Sequence, residues 1–225
     1  MLVSIIIPTL NEAAVVAAAL ENADGLSGDK EVIVADGSST DRTVEIASRQ
    51  AKVVSGPRGR AVQMNSGAAA ARGDVLLFLH ADTILPSDAL SAIKSALSDS
   101  NVIGGRFRVK LANPGWRYRW LGWNINARDR LVGGFTGDQA IFVRREVFQT
   151  MGGYREAGLM EDLDFARRMD RAGNVARMPQ YVTTSARRWE KGGLIKTVFS
   201  MGVLRTLYYM NIPSSRLERW DGNVR

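Results

Sequence analysis

No cysteine occurs among the 225 residues. That excludes disulfide scaffolds, cysteine-ligated zinc and thiol catalysis. A single histidine, His80, excludes a metal site built from several imidazoles and makes a Ser-His-Asp triad improbable. Long apolar runs are also missing. The best, Leu194 to Met210, is interrupted by Lys196, Ser200, Gly202 and Arg205 and falls short of a membrane-crossing helix. The apolar start, Leu2 to Pro8, is too short for a signal-peptide core and has no basic leader. A cytoplasmic location is therefore expected, with the inner face of the membrane open as a docking surface.

What is present reads as globular: 45% apolar and 24% charged residues. The length suits one domain with a substantial core, burying roughly 70% of the unfolded surface. The net charge of +7 is unevenly placed. Residues 1–112 carry 11 Lys and Arg against 12 Asp and Glu, whereas residues 113–225 carry 19 against 11, and 17 of those 19 cations are Arg. Arg suits bidentate contact with phosphate and carboxylate. The second half is thus expected to face something anionic: nucleic acid, a membrane surface or a phosphorylated small molecule.

The hydrophobic pattern predicts strands at Val3–Pro8, Glu31–Asp36, Lys52–Ser55 and Val75–Leu79. Helices are expected between them, over about 13–22, from a cap at Thr40 or Asp41 to Gln50, over 60–71, and from Pro86 to Ser98. Strands alternating with helices of this length mean βαβ units and a parallel sheet. The second half is less regular. It predicts strands at 102–111, 140–143, 175–178 and 182–184, and helices at 116–132, 160–171 and 194–209.

In parallel sheets ligands gather at the carboxyl ends of strands. That edge receives Thr9 to Glu12, Asp36 to Ser38 and His80-Ala81-Asp82. Asp82 suits a hard divalent cation held mostly by substrate phosphates, or else it caps the following turn. Asp36 is placed to hold a ribose or a base N–H, or to shape the turn. Glu12 either holds a ribose hydroxyl or complements a helix dipole. Arg60 and Asn65, at a helix start after Gly59, suit phosphate. Glu161-Asp162-Leu163-Asp164 opens a helix after Gly158. A carboxylate there can serve as a general base, and Asp162 and Asp164 lie about 200° apart, so one of them is expected to face a site. Arg187-Arg188-Trp189 reads as a phosphate clamp with a stacking wall. Gly133-Gly134-Phe135-Thr136-Gly137-Asp138-Gln139 reads as a floor for a second substrate or as a hinge.

Taken in order, these motifs resemble the family 2 glycosyltransferases with the GT-A fold. The matching residues are Ser4 to Glu12, Asp36 to Thr43, Gly67 to Asp82 and Glu161-Asp162. Gly137-Asp138-Gln139 and Arg187 to Gly193 are similar to a short subgroup, the radical-SAM/selenodomain-associated transferase 2 proteins. The resemblance implies an α/β GT-A fold with a mostly parallel central sheet and a C-terminal amphipathic helical extension. It implies one domain over 1–225: a donor half at 1–112, an acceptor and catalytic half at 113–190, and the extension at 191–225.

The implied activity is inverting, metal-dependent transfer from a nucleotide-diphosphate sugar, UDP favoured, to a small-molecule or lipid acceptor. Pro8, Thr9, Asn11, Glu12, Asp36, Ser38, Arg60, Asn65, His80, Ala81, Asp82 and Arg188 would hold the donor. Asp162 would be the base, supported by Glu161, and Gly137, Asp138, Gln139 and Trp189 would meet the acceptor. The metal, Mn²⁺ or Mg²⁺, would sit on Asp82 and His80. Here the chain departs from the family's Asp-x-Asp, since His80 replaces the first Asp, and a nitrogen ligand favours Mn²⁺. Ser185 stands where processive synthases carry a Gln, which argues against polymer synthesis. Peripheral membrane contact or a twin subunit would account for the segment 194–209. The rival readings are a non-catalytic nucleotide-sugar sensor and, less well supported, a nucleic-acid-binding domain. Acids at the strand ends argue against a polyanion groove, and no nucleic-acid partner is expected.

Overall fold

The structure, a computed structural model, describes residues 1–132, 134–156, 159–210 and 212, with 129–132 as backbone alone. Gly133, Gly158 and the end of the expected extension, 211 and 213–225, lie outside the described residues. Strands β1 (Val3–Thr9), β2 (Lys30–Asp36), β3 (Lys52–Ser55), β4 (Val75–Phe78), β5 (Thr83–Ile84), β6 (Val102–Leu111), β7 (Ile141–Arg144) and β8 (Asn174–Thr184) form one sheet in the order β3-β2-β1-β4-β7-β6-β8-β5. The helices are α1 (Val16–Asp24), α2 (Thr43–Ala47), α3 (Arg60–Ala69), α4 (Ala89–Ala96), α5 (Trp116–Val132), α6 (Arg145–Thr150), α7 (Glu161–Ala172), α8 (Arg187–Gly192) and α9 (Leu194–Tyr209).

Both faces of the sheet are buried, which is why β1 and β4 are apolar without alternation. Val3, Ile5 and Ile7 pack in one cluster with Val16 and Leu20 of α1 and Ile93 of α4. Ile6, out of phase, enters the other cluster with Met64 of α3 and Phe165 and Met169 of α7. Gly67 lets α3 approach β1, since a Cβ there would overlap the Ile6 side chain. Phe78, Phe148, Tyr154 and Phe165 form an aromatic core on this second face, with Tyr154 and Phe165 stacked 4.3 Å apart.

β1–β2, β1–β4, β2–β3 and β6–β8 pair parallel, and β4–β7, β6–β7 and β5–β8 pair antiparallel. β8 is one strand where the sequence predicts two. Pro179, which has no N–H to donate, sits in an irregular stretch opposite Arg106 to Arg108, where the register jumps from Arg177 to Tyr181. The expected cap of α2 also differs. Arg42 occupies the cap position, while Asp41 accepts the Thr43 N–H at 2.9 Å in a turn that precedes the helix.

Candidate active site

Strand direction assembles the site. β1 and β2 run parallel and end level, Thr9 opposite Asp36. β7 runs antiparallel to β4 and starts at Ile141 opposite Phe78. The residues before β7, Gly137–Gln139, therefore land beside those after β4, His80–Asp82. β5 is antiparallel to β8, with Thr83 opposite Thr184. The residues after β8 thus return to Asp82, whose carbonyl accepts the Ser185 N–H at 3.1 Å. Pieces far apart in sequence converge on one edge. The four non-glycine residues with positive φ among the described residues, Asn11, Ser38, Ala140 and Met160, all border it. Such strain persists where surrounding contacts over-determine the backbone, often at functional sites.

Asp162 is at the centre. It lies in the first turn of α7, with Oδ2 3.9 Å from His80 Nε2 and 4.0 Å from Arg60 Nη1. The Gly137 N–H donates to it. A Cβ on Gly137 would lie 2.5 Å from Asp162 Oδ2 and overlap His80 Nε2, so only glycine permits this approach. Burial, and then the Glu161 charge, push the Asp162 carboxyl up to about 7. Burial, and then the charges of Arg60 and Arg188, hold His80 well below its ordinary value, so its imidazole is neutral. Both His80 Nε2 and Asp162 Oδ1 are buried without a hydrogen-bond partner among the described residues. Glu161 is buried, 3.7 Å from Arg60. Desolvation opposes the charge on Arg60 only in part, since its side chain is 43% exposed, and Glu161, Asp162, Asp82 and Asp138 outweigh it and raise its pKa. Asp164 faces away, to Arg168 at 2.8 Å and Arg155 at 3.4 Å. The two first-turn aspartates thus diverge as helical geometry requires.

Asp82 stands beside this centre. Burial raises its pKa, Glu12 and Asp138 add to the effect, and Arg187 opposes it. Arg187 Nη2 is 3.0 Å from Glu12 Oε2 and 3.9 Å from Asp82 Oδ2, and so ties the first loop to the fourth. Arg188 is exposed and reaches Met201 of α9. Asp138, half-buried, accepts from Thr136 Oγ1. Among the described residues no group of three or more His, Asp and Glu is gathered as a metal cage.

Other expected residues are engaged by the chain's own loops. Asp36 is buried and accepts from Thr9 Oγ1 at 3.0 Å and from the Ser39 N–H at 2.8 Å. Asn11 Oδ1 accepts from the Thr40 N–H at 2.8 Å, and Ser38 Oγ donates to the Gly56 carbonyl at 2.9 Å. Asn65 binds the backbone of Tyr154 on both sides, 2.8 Å to its O and 2.9 Å from its N. Gln139 closes a capping box with Thr136 and is buried. Ala81 is buried, Pro8 half-buried, and Trp189 packs against the core beside α9. Around the convergent pair of Asp162 and Asp82, these residues fix the shape of the loops.

Three residues with a structural hold on the site were not singled out by the sequence. Gln63, buried in α3, donates to the carbonyls of Thr9 at 2.5 Å and Ala35 at 3.1 Å, bracing the first two loops. Tyr154 lies under the acids, and burial followed by the charge of Asp162 raises its pKa well above the usual value. Arg205 of α9 is held down to about 10 by burial and then by the charge of Arg128. A polar residue on the buried face of α3 was the one available signal for Gln63.

The family model described as glycosyl transferase family 2 matches residues 4–152. The chain belongs to glycosyl transferase family 2. This glycosyltransferase is 33% identical over 222 residues to a PGL/p-HBAD biosynthesis glycosyltransferase of Mycobacterium bovis, covering 91% of this chain and 83% of that one. It is 26% identical over 190 residues to a beta-monoglucosyldiacylglycerol synthase of Nostoc, covering 74% of this chain and 41% of the relative. Among solved structures, S. aureus TarS superposes with a TM-score of 0.67 at 18% identity, over 84% of this chain and 61% of that one. The mannosyltransferase PcManGT of Pyrobaculum calidifontis, in complex with GDP-Man and Mn²⁺, gives 0.64 at 23% identity, over 80% and 56%. The chain thus spans less than two thirds of these two solved chains. The GT-A fold expected from sequence is the fold observed, and the enzyme class follows from the family. No helix of the described residues is long and apolar enough to cross a membrane.

Proposed function

We propose that this enzyme moves a sugar, with inversion, from a nucleotide-diphosphate donor to a hydroxyl of a small-molecule or lipid acceptor. The observation that carries the reading is Asp162: a buried carboxyl raised to about 7, held by the Gly137 N–H and facing a neutral imidazole. A base poised near neutral pH has the driving force to take a proton and be ionised when it must act. In the step proposed, the acceptor oxygen attacks the anomeric carbon as its proton passes to Asp162. The bond from that carbon to the diphosphate breaks, and the electron pair leaves on the diphosphate oxygen. Arg60 and Arg188 supply positive charge for that leaving group. Positive charge aimed at the atom on which negative charge develops lowers the barrier to departure.

The residues present fit a divalent cation. His80 Nε2 is buried, neutral and without a hydrogen-bond partner among the described residues, and Asp82 lies within electrostatic reach of Glu12 and Asp138. Asp82 and His80 would hold the ion, with Mn²⁺ favoured by the nitrogen. When bound it would neutralise the departing diphosphate. Complexes of solved neighbours support a nucleotide-sugar donor, as in TarS with UDP-GlcNAc, and its pairing with a metal, as in PcManGT with GDP-Man and Mn²⁺. UDP is the favoured nucleotide. Within the family, the motifs at 137–139 and 187–193 support the radical-SAM/selenodomain-associated subgroup, and a cytoplasmic location goes with it. The Nostoc relative's name supports a lipid acceptor.

A thermal-shift screen of UDP-, GDP- and ADP-sugars, with and without Mn²⁺, tests the reading. A donor at 100 times its dissociation constant stabilises by ~2.7 kcal/mol, and the shift should need the metal. No shift with any nucleotide-sugar under either condition would remove the reading.

A further inference from the structure

α5 packs on the body of the protein through Leu121 and Ile125, which are buried. Its opposite face carries Trp116, Trp120 and Trp123, exposed by 73%, 52% and 66%. At 3.6 residues per turn these three fall within about 60° of one another, and the middle of the ridge lies about 150° from the middle of the buried pair. Arg117 and Arg119 flank the ridge on either side, and Arg117 lies over the Trp116 ring at 5.5 Å. Three exposed tryptophans on one ridge are unusual on a freely soluble surface.

Beside the ridge lies a groove of about 740 Å³ between α5, β6 and β8. Asn126 holds α5 against the edge of β6, bonding both the N–H and the carbonyl of Val109 at 2.9 Å. Arg108, Lys110 and Arg119 line the groove together with Tyr118, Trp123 and Tyr181. No Asp or Glu is among its lining residues. A nearby carboxylate, Glu190, is engaged by Asn113 at 2.7 Å. The groove therefore offers positive charge and aromatic faces together.

We propose that the α5 ridge and its basic groove dock the enzyme on an anionic bilayer, with the tryptophans at the headgroup level and the groove taking lipid phosphate. Tryptophan is the side chain best suited to that boundary, having an apolar ring and one N–H. Cations beside it add attraction to anionic lipid. Apolar burial plus basic charge is the combination that holds a peripheral helix at an interface. The opposite charge signs choose the bilayer over a second copy of this chain, because two like ridges flanked by arginine repel. The inference deepens the proposed function by naming the surface on which a lipid acceptor would be met. Its test uses neither donor nor acceptor, so either can fail alone.

The full chain is mixed with vesicles of phosphatidylcholine, with or without about 30% phosphatidylglycerol, at about 0.1 M salt, where charges still act over ~10 Å. It should float with the anionic vesicles, be released at about 1 M salt, and show a blue shift of tryptophan emission. Replacing Trp120 and Trp123 by serine should weaken binding at least about tenfold without changing the melting temperature. Lys110→Gln with Arg119→Gln, both exposed, should weaken it on anionic vesicles and serves as the second variant should the first fail to fold. Failure of the wild type to bind, or equal binding by the variants, overturns the proposal. So does full release by millimolar inorganic or glycerol phosphate, which would mark a small-molecule site. A dimer abolished by the Trp variant, with no vesicle binding, overturns it in favour of a second copy.

Discussion

Asp162 is held in the fold at a cost, and that cost depends on pH. Its carboxyl goes from 3.8 in a free chain to about 7 in the folded protein. Between those values the folded state binds more protons than the unfolded state. Stability therefore falls as pH rises through this window, and is restored as pH drops back towards 4. A shift of about three units is worth on the order of 4 kcal/mol. Asp162→Asn removes the ionisation, and because the attraction to Arg60 is already contained in the folded value, a net gain of roughly 3–4 kcal/mol is expected at pH 8. At pH 4.5 wild type and variant should agree within about 1 kcal/mol. The assay is urea unfolding from pH 4.5 to 8.5 with a chelator present, so that no ion masks the carboxylate. A variant less stable than wild type at pH 8, or a gap that does not change with pH, would show that the fold does not hold the Asp162 carboxyl above its free value.

Two further outcomes follow from the packing. Gly137→Ala should leave the fold within about 2 kcal/mol of wild type yet lower transfer about 100-fold, because the new Cβ pushes His80 and Asp162 apart by a fraction of an ångström. Transfer within threefold of wild type would contradict the close approach. Asn65→Ala strips the Tyr154 backbone of both its side-chain partners and should cost about 2–3 kcal/mol in urea unfolding. A cost below about 0.5 kcal/mol would show that water satisfies those groups.

The fold's first half was legible because its signals are local. β1, β2 and β4 are short apolar runs closed by polar residues, and both of their faces are buried, so periodicity and burial agree. His80, Asp82 and Asp162 were legible as residues whose types are out of place at strand and helix ends. The direction of β7 was not legible, because a four-residue apolar strand carries no sign of parallel or antiparallel pairing. α6 and α8 are six residues each, too short for a helical period to declare itself.

The sequence also could not say which polar groups would be spent on the loops themselves. Asp36, Asn65 and Gln139 read as ligand contacts by position, but each satisfies nearby donors or acceptors of the chain. A buried loop leaves backbone groups that must be paired, and short polar side chains meet that need first. The helix α9 gave a different surprise. Its Leu204 is buried against Met160 and Leu163, at the start of the helix that bears Asp162, while Ile195 and Phe199 are exposed. One face is fixed by the protein's own core, so the segment is more than an appendage.

In the proposed reaction a single carboxylate, Asp162, takes the acceptor's proton in a site that still binds donor without it. Once the donor is known, transfer and nucleotide affinity are measured side by side for wild type and Asp162→Asn. Transfer by the variant should fall at least about 100-fold with donor affinity within a few-fold. Transfer at the wild-type rate by the variant would show that Asp162 is not the base.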